Sequence, residues 1–375
     1  MKIVHIITGL GDGGAEHTLF KICKYDKINK HTVIALKNSG KYFSLIKKLG
    51  VKVYCLNFKY YSINKFFFLI KLISNLKPDL VQTLLVHADL IGGLAGKFAG
   101  VKKIIWNVRY SNFEIGKAKF QTILIIKILA KLSFILPNFI IINSKKAKKL
   151  YIKIGYDKKK LNFIPNGFDL SLLQIKKFEK INFRKKIKIK KFIPLIGNVA
   201  RYDPQKDHFN LLKALHFIRS KNIDFLCVLV GTNIDKNNFK IVSEIKRLKL
   251  TNCVKLLGQS DNILSVMNGI DIYVQSSRYG EGFPNVVAEA MACGTPSVVT
   301  DVGDASLIVG KTGWVVPPNN SYKLANAIKK SINEFQNKNW SQRCNKTRFV
   351  VKENFDINKM IKSYNSLWNR SLDKY

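Results

Sequence analysis

The chain has 375 residues, which suggests two or three domains, and 47% of the residues are hydrophobic, enough to fill sizeable cores. Its formal net charge of +40, from 64 Lys and Arg against 24 Asp and Glu, would attract nucleic acid, anionic lipid or phosphorylated substrates, although the scattered lysines fit a composition bias of the source organism equally well. The longest apolar stretch, residues 121–136, is interrupted by Lys127 and Lys131 and falls short of the roughly 20 apolar residues that a membrane span needs, so we predict no transmembrane helix.

The first predicted element is a buried strand over residues 2–8, which we interpret as the start of the fold rather than a signal peptide. Residues 9–14 follow with the spacing G-x-G-x-x-G, and a helix comes next. This spacing is that of the dinucleotide-binding fingerprint, which also requires an acidic residue about 20 positions further on. The second predicted strand, residues 32–36, ends instead in Lys37 and Asn38, which disfavours NAD. A plain tight turn is the alternative.

Strands and helices then alternate to about residue 170, which predicts βαβ units and a parallel sheet. The predicted strands cover residues 51–56, 80–83, 104–108, 139–143 and 161–164, and the predicted helices cover residues 42–49, 64–76, 120–133 and 145–153. We assign residues 1–170 to a first domain. The following stretch, residues 170–191, is basic and lacks a firm periodicity, which is typical of a linker.

Two polar side chains follow strands of this first domain. His87 comes shortly after the strand at 80–83, and Arg109 comes directly after the strand at 104–108. Parallel sheets place their ligands at the C-terminal ends of the strands, so both side chains are expected at a ligand-binding edge. We predict that Arg109 contacts an acceptor phosphate, with a solvated arginine as an equal alternative. A purely structural histidine is the alternative for His87.

A second set of alternating elements follows the linker, and we assign residues 190–354 to a second domain. Its predicted strands cover residues 192–197, 225–230, 254–256, 272–275, 297–300 and part of 313–317, and the predicted helices cover residues 209–220, 240–248, 263–268, 322–335 and 340–351, with a last helix at 357–372. Arg201 and Lys206 lie in the loop after the first of these strands.

The most informative stretch is residues 278–294, RYGEGFPNVVAEAMACG, which predicts a loop, a buried helix and a turn. Pro284 suits the first turn of a helix, and Gly294 suits its C-terminal cap. The first N–H groups of this helix are expected to face an anion. Glu281 and Glu289 bracket them, and carboxylates accept hydrogen bonds from sugar hydroxyls. Donors for phosphate and acceptors for hydroxyls are the combination that a nucleotide-sugar needs.

This motif, with its Glu-x7-Glu spacing and the Gly-Thr-Pro turn that follows, resembles the donor site of the family 4 glycosyltransferases. The glycine loop, with its Gly-Gly-Ala-Glu ending, and the segment at residues 165–169 are similar to the same family. The resemblance spans nearly the whole chain and implies an α/β fold of the GT-B type, in which two Rossmann-like domains face each other across a cleft. It also implies that the C-terminal helix, within residues 355–375, crosses back to the N-terminal domain.

The resemblance implies a retaining transfer of a sugar from a nucleotide-sugar, UDP-linked by family frequency, and roles for single residues. His87 would touch the donor sugar near its reacting carbon, although one alignment places this position at Leu84. Arg201 and Lys206 would hold the diphosphate, whose negative charge grows in the transition state, and Glu281 would hold sugar hydroxyls. The other predicted donor-binding residues are Glu289 at the ribose, Gly258, Gln259 and Ser260 at the base, and Gly13, Gly14, Gly282, Phe283, Pro284, Asn285 and Val286.

Retention commonly uses a nucleophile below the sugar, but no carboxylate of the first domain stands out as one. The resemblance implies a front-face route in which the leaving phosphate takes the acceptor proton. Neither a D-x-D motif nor a His-rich or C-x-x-C pattern occurs, so we predict no cofactor and no metal, with Arg201 and Lys206 in place of a divalent cation. The six cysteines are then buried thiols of a reducing compartment.

We infer that the acceptor is a lipid-linked sugar or a growing surface polysaccharide. The basic charge and the apolar helices at 64–76 and 120–133 would seat the first domain on an anionic membrane surface. We therefore expect a cytoplasmic protein, peripheral on the inner face of the cytoplasmic membrane. Ordinary packing of both helices on a sheet is the alternative, which the sequence favours.

Two other function classes stay open. An NAD(P)-dependent oxidoreductase would use the glycine loop, with Lys37 near a 2′-phosphate, but it leaves the segment from Glu281 to Glu289 unexplained. A nucleic-acid-binding protein would rest on charge alone. Its basic residues are not gathered into a stripe interleaved with aromatic residues, so we predict no nucleic-acid partner.

Overall fold

A computed structural model describes residues 1–37, 39–58, 62–109, 120–189 and 193–370. The chain forms two compact units, of which the first contains Met1–Gly167 and the segment from Ile357 onward, and the second contains Phe168–Asp356. Each unit is built on one parallel sheet with helices between its strands. The predicted α/β class with two Rossmann-like domains is confirmed.

Within the described residues, the first unit has a seven-stranded parallel sheet in the order β3-β2-β1-β4-β5-β6-β7. Its strands are β1 (Lys2–Ile7), β2 (Lys30–Ala35), β3 (Lys52–Cys55), β4 (Leu80–Leu84), β5 (Ile104–Val108), β6 (Phe139–Ile142) and β7 (Leu161–Phe163). The central strands are continuous runs of apolar residues, because helices cover both faces of a parallel sheet. Ile3 of β1 is in register with His31 of β2 on one side and with Leu80 of β4 on the other. The order of the strands reverses between β1 and β4, where open α/β sheets bind their ligands.

The helices of the first unit agree with most of the predicted ones to within two residues. They are α1 (Gly14–Tyr25), α2 (Lys41–Lys47), α3 (Ile63–Leu76), α4 (Val86–Phe98), α5 (Phe120–Leu132), α6 (Lys145–Ile154) and, at the end of the chain, α15 (Ile357–Asn369). Capping fixes the ends of α6, since the Ser144 hydroxyl accepts the Ala147 N–H at 3.1 Å and Gly155 takes a left-handed φ of 105°.

Helix α4 is absent from the sequence-based assignment because glycines inside a helix lower its propensity. The structure shows why glycines stand there. A Cβ on Gly92 would lie 2.9 Å from Cγ2 of Ile6, and a Cβ on Gly93 would lie 2.8 Å from Nε1 of Trp106. Close packing of α4 on the sheet therefore requires glycines. The low helix propensity of the same glycines makes this helix difficult to predict from the sequence.

The last helix, α15, belongs to the first unit, as predicted. Met360, Tyr364 and Trp368 are buried in a cluster with Ile3 and Leu80 of the sheet. Polar contacts anchor the same face, because Trp368 Nε1 donates to Gln82 Oε1 at 2.8 Å and the Asn107 amide donates to the Tyr364 hydroxyl at 2.9 Å. The crossing of the C-terminal helix back to the N-terminal domain is thus confirmed.

The second unit has, within the described residues, a six-stranded parallel sheet in the order β10-β9-β8-β11-β12-β13. Its strands are β8 (Leu195–Val199), β9 (Leu226–Val230), β10 (Val254–Leu256), β11 (Ile272–Gln275), β12 (Ser297–Thr300) and β13 (Trp314–Val316). The helices are α7 (Lys177–Lys186), α8 (His208–Arg219), α9 (Phe239–Arg247), α10 (Ile263–Gly269), α11 (Asn285–Ala292), α12 (Ala305–Val309), α13 (Ser321–Phe335) and α14 (Trp340–Phe355), together with a 3₁₀ turn at Pro204–Lys206. The strand order reverses between β8 and β11.

The interpretation of residues 170–191 as a linker is wrong for α7. This helix is held by the buried carboxylate of Asp271, which accepts from Lys180 Nζ at 2.7 Å and from Arg184 Nη2 at 2.5 Å. Phe183 packs on Gly269 of α10 so closely that a Cβ there would overlap its ring. These partners are far away in the sequence, so local periodicity does not reveal the helix. Residues 190 and 191 of the predicted linker lie outside the described residues.

No helix within the described ranges is both long enough and apolar enough to cross a membrane.

Candidate active site

Two loops meet at the strand reversal of the second unit. After β8 the chain passes Arg201 and enters the 3₁₀ turn, in which the Asp203 carboxylate accepts the Gln205 N–H at 2.9 Å. The loop after β11 is hydrogen-bonded to this turn: the Ser276 hydroxyl donates to the Lys206 carbonyl at 2.9 Å, and the Arg278 N–H donates to the Gln205 carbonyl at 2.7 Å. These bonds fix the backbone on both sides of the side chains predicted to bind the donor.

Lys206 and Glu281 form the centre of this arrangement, with Nζ and Oε1 at 2.5 Å. The side chains are 20% and 9% exposed, respectively, so solvent screens the pair only weakly. The Ser277 hydroxyl donates to the same Oε1 at 2.7 Å. Within the described chain, Oε2 of Glu281 has no hydrogen-bond donor. The arrangement therefore offers a fixed ammonium group for an anion and a carboxylate oxygen for hydroxyl groups.

A third loop, after β12, is hydrogen-bonded to the segment that carries Glu281. The Thr300 hydroxyl donates to the Ser277 carbonyl at 2.6 Å, and the Asp304 N–H donates to the Gly282 carbonyl at 2.8 Å. Gly303 has a φ of 56°, and a Cβ there would lie 2.5 Å from the carbonyl oxygens of Glu281 and Gly282. No motif in the sequence points to Ser277, Thr300 or Gly303, although each one lies at or just beyond the end of a strand.

The helix of the most informative motif is confirmed. Helix α11 begins at Asn285 after Pro284 and ends at Ala292, and Gly294 follows with a φ of 77°. The Gly294 N–H donates to the Met291 carbonyl at 2.9 Å, and the next N–H donates to the Ala290 carbonyl at 3.0 Å, which is a Schellman cap.

Three predicted donor-binding residues of this motif are held in defined environments. Phe283 is buried between Phe168 and Phe355, with ring centroids 6.2 and 5.2 Å away, and fixes the entry to α11. Glu281 and Glu289 both act on Tyr273, since burial and then these two carboxylates raise the pKa of its hydroxyl. The two carboxylates therefore lie near one point of the sheet, although eight positions separate them in the sequence.

The remaining predicted donor-binding residues of the second unit differ in their exposure to solvent and in how far their polar groups are already hydrogen-bonded within the protein. The Arg201 guanidinium is largely exposed and lies 3.1 Å from the Asp203 carboxylate. Gly258 uses both backbone groups inside the protein, because its N–H donates to the Ile234 carbonyl and its carbonyl accepts the Gly231 N–H, each at 2.8 Å. The N–H of Gly258 is thus already used, and a backbone N–H contact to a base from this turn would come from Gln259 or Ser260.

In the first unit, His87 lies in the first turn of α4, just beyond the end of β4 and at the strand reversal. The residue that turns the chain, Leu85, has a φ of 77° and a ψ of 150°, a strained conformation for a leucine. Strain of this kind is concentrated at functional sites. Burial, followed by the nearby charge of Lys37, lowers the pKa of His87 below its ordinary value, which favours the neutral imidazole.

The glycine loop lies at the same reversal, after β1. Gly13 is the N-cap of α1, and Gly14 is the first residue of the helix. A Cβ on Gly13 would lie 2.5 Å from Oε2 of Glu16, so the Glu16 carboxylate folds back over the loop. Burial, followed by the charge of Asp12, raises the pKa of Glu16. Because Gly13 has no side chain, the Glu16 carboxylate has room to pack against this loop.

Arg109 is held in place by neutral partners of the first unit. Its Nη1 donates to the Thr18 hydroxyl and to Asn166 Oδ1, both at 2.9 Å, and its Nη2 donates to the Tyr364 hydroxyl at 3.2 Å. Its Nε donates to Asn107 Oδ1 at 3.1 Å. The guanidinium therefore organises several segments, and its contact to an acceptor phosphate stays a prediction.

Among the described residues, no group of three His, Cys, Asp or Glu side chains is arranged to hold a metal ion. The predicted independence from metals and cofactors stays a prediction.

Two family models match the chain. The model described as Glycosyltransferase Family 4 matches residues 12–172, and the model described as Glycosyl transferases group 1 matches residues 179–355. The chain belongs to the family 4 glycosyltransferases. The predicted family is confirmed for this glycosyltransferase, and the oxidoreductase alternative finds no support.

Curated relatives of this glycosyltransferase are similar over most of their length. The UDP-Gal:alpha-D-GlcNAc-diphosphoundecaprenol alpha-1,3-galactosyltransferase of Escherichia coli is 27% identical over 266 residues, which cover 69% of this chain and 68% of the relative. The N,N'-diacetylbacillosaminyl-diphospho-undecaprenol alpha-1,3-N-acetylgalactosaminyltransferase of Campylobacter jejuni is 28% identical over 299 residues, which cover 76% of this chain and 77% of the relative.

Solved structures share the fold of this glycosyltransferase over nearly all of the chain. HepE of Anabaena in complex with UDP has a TM-score of 0.86 and 22% identity, and the match covers 98% of this chain and 99% of HepE. A glycosyltransferase of Rickettsia africae has a TM-score of 0.86 and 19% identity, with coverages of 100% and 99%. The predicted GT-B class is confirmed.

Proposed function

We propose that this glycosyltransferase moves a sugar from a UDP-sugar to a hydroxyl group of a lipid-linked or polysaccharide acceptor in the synthesis of a cell-surface glycan. The observation that carries the proposal is the Lys206–Glu281 pair, weakly screened and held by three loops at the strand reversal of the second unit. The E. coli and C. jejuni relatives, named for transfer to diphosphoundecaprenol-linked sugars, support the lipid-linked acceptor. HepE, solved with UDP and with UDP-glucose, supports the uridine donor.

The proposed chemistry follows from what each side chain can donate or accept. The bond between the anomeric carbon and the diphosphate oxygen breaks, and the leaving diphosphate gains negative charge, which Lys206 and Arg201 stabilise. Oε2 of Glu281 accepts hydrogen bonds from hydroxyls of the sugar. Neutral His87 supplies one hydrogen bond near the reacting carbon. The acceptor oxygen forms the new bond on the face that the diphosphate leaves, and the diphosphate takes the acceptor proton.

Thermal unfolding with added nucleotides tests the donor. UDP at a hundredfold excess over its dissociation constant is expected to stabilise the wild-type protein by about 2.7 kcal/mol, and NAD is expected to change nothing. The stabilisation by UDP should be lost in Lys206→Ala. It should persist in Lys213→Ala, which removes an exposed lysine of α8 outside the site. Stabilisation by NAD and none by UDP would contradict the proposed donor.

We propose further that the first unit binds anionic membranes through an aromatic patch formed by Phe67, Phe68 and Phe98. Helix α3 buries only Leu69 and Ile73 fully, whereas Phe67 and Phe68 are 64% and 56% exposed. Phe98 of α4 is 68% exposed. The ring of Phe66, edge-on to that of Phe98 with centroids 6.2 Å apart, joins the two helices. Exposed aromatic residues on a strongly basic protein fit an anionic lipid surface.

Flotation with vesicles of phosphatidylglycerol and phosphatidylethanolamine tests the aromatic patch. The double variant Phe67→Glu, Phe68→Glu is expected to lower the floated fraction at least about tenfold, because a buried Phe side chain contributes about 1.5–3 kcal/mol. Phe239→Glu is the matched control, since Phe239 is 81% exposed on α9 of the second unit. Equal losses in both variants, or a wild-type protein that does not float at about 0.15 M salt, would overturn this proposal.

A further inference from the structure

A cavity of the second unit opens beside the turn predicted to hold the nucleobase. Its volume is about 440 Å³, within the range of roughly 300–1,000 Å³ that is usual for small-molecule sites. Val230 and Leu257 form part of an apolar floor, and Gln259 and Ser260 supply polar groups. Lys186 also lines this cavity; it is the last residue of α7, a helix in the stretch predicted to be a linker.

Lys186 is held at this cavity by the anchoring of α7. The Asp271 carboxylate binds the helix through Lys180 and Arg184, and Phe183 packs on α10. Just past the helix, the Ile187 carbonyl accepts from Lys255 Nζ of β10. The backbone that carries Lys186 is therefore tied to the sheet on both sides of this residue, and only its side chain has to be ordered by a ligand.

The chemistry of Lys186 suits one class of base. A lysine ammonium group only donates hydrogen bonds. Uracil presents exocyclic carbonyl oxygens that accept, whereas the exocyclic group of adenine is an amino group that donates, and adenine accepts only at its ring nitrogens. Within the described residues, Lys186 makes no ion pair with a carboxylate, so its charge is not already neutralised. An ammonium group that meets the exocyclic edge of the base beside this turn would thus favour uracil over adenine.

We infer that Lys186 reads the base of the donor by donating a hydrogen bond to an exocyclic carbonyl oxygen of uracil. The inference rests on the proposed uridine donor and deepens it. Lys186 lies outside the Lys206–Glu281 centre, so it sets which nucleotide binds rather than the rate of the chemical step. The helix α7 is then part of the donor site.

Calorimetric titration of the full-length protein tests this role with UDP, ADP and inorganic pyrophosphate. Lys186→Met removes the ammonium group but keeps the length of the side chain. It is expected to weaken UDP binding about 5- to 10-fold and to lower the preference for UDP over ADP by a similar factor. Binding of pyrophosphate should stay within about twofold of wild type. Lys185→Met is the matched control, because Lys185 is an exposed neighbour that does not line the cavity. Lys186→Arg should retain most of the preference.

The outcomes separate this inference from the proposed donor. An equal loss of UDP and pyrophosphate binding in Lys186→Met would mean that Lys186 acts on the phosphates through its charge, which overturns base reading. Unchanged UDP binding in a variant with wild-type unfolding temperature overturns it as well. In both cases a wild-type protein that binds UDP, and loses it in Lys206→Ala, leaves the donor proposal intact. A wild-type protein that binds no UDP overturns both.

Discussion

Lys206→Ala is expected to lower kcat of glycosyl transfer by about 10³-fold. In the proposed reaction the leaving diphosphate gains charge in the transition state, and only a cation fixed in advance stabilises that state more than the bound donor. Lys206 is fixed in this way, with Nζ 2.5 Å from Glu281 and its backbone carbonyl accepting the Ser276 hydroxyl at 2.9 Å. Arg201, exposed and paired with Asp203 outside this centre, does not replace it.

The same substitution also affects folding, because it leaves the Glu281 carboxylate, 9% exposed, with the Ser277 hydroxyl as its remaining hydrogen-bond donor among the described residues. Breaking a buried ion pair from one side typically costs about 3–5 kcal/mol, and the partly exposed lysine places this pair at or below the lower end of that range. The double variant Lys206→Met, Glu281→Gln removes both charges. It should recover most of the stability and none of the turnover.

Steady-state kinetics with a UDP-sugar, together with thermal unfolding, separates the two effects of Lys206→Ala. Lys213→Ala is expected to match wild type in both measurements. A kcat of Lys206→Ala within about tenfold of wild type would show that the ammonium group does not stabilise the leaving group.

Short apolar strands are the part of this fold that local sequence determines best. The bounds of β5, β10, β11 and β12 agree with the predicted ones at both ends. Turn-forming residues directly flank two of these apolar runs, with Asp271 and Ser276 around β11 and Pro296 and Asp301 around β12. Helix α11 is predicted equally well, since a proline at its start and a glycine after its end mark both termini. Where local signals agree with the packing, the sequence predicts the element.

The elements that sequence analysis misses are those whose signals lie far away in the chain. Helix α4 contains glycines that Ile6 and Trp106 require, and α7 is held by Asp271, more than 80 positions further on. The same holds inside the site. The motif predicts that Lys206 and Glu281 both contact the donor, but not that they contact each other, since 75 positions separate them.

Arg109 shows that the sequence predicts where a side chain lies more readily than what it does. Its position predicts a side chain at the C-terminal end of β5, and this is where it lies. Its hydrogen-bond partners, Thr18, Asn166 and Tyr364, come from three distant segments, so their convergence depends on the completed fold. A position after a strand therefore predicts the neighbourhood of a side chain better than its role.

Gly303→Ala is expected to lower kcat about 10²-fold, although Gly303 need not touch any substrate. The variant must take a left-handed φ of 56° and bring a Cβ to 2.5 Å from the carbonyl oxygens of Glu281 and Gly282. Both obstacles are backbone atoms, so the loop that carries Glu281 has to move. The Glu281 carboxylate then leaves its position beside Lys206, and a displacement of about 1 Å can cost about 10²-fold in rate.

Gly100→Ala provides the control for backbone strain, because Gly100 also has a left-handed φ, of 76°, but a Cβ there would meet nothing within 4 Å. A non-glycine residue in this conformation costs about 1–3 kcal/mol, so both variants should lose that much in the free energy of urea unfolding. Only Gly303→Ala should lose more, and only it should lose turnover. Equal destabilisation of the two variants, with kcat of Gly303→Ala within about threefold of wild type, would mean that the loop after β12 does not position Glu281. The two substitutions share the methyl group and the sign of φ, so the difference between them measures the contact with the loop that holds the proposed sugar-binding carboxylate.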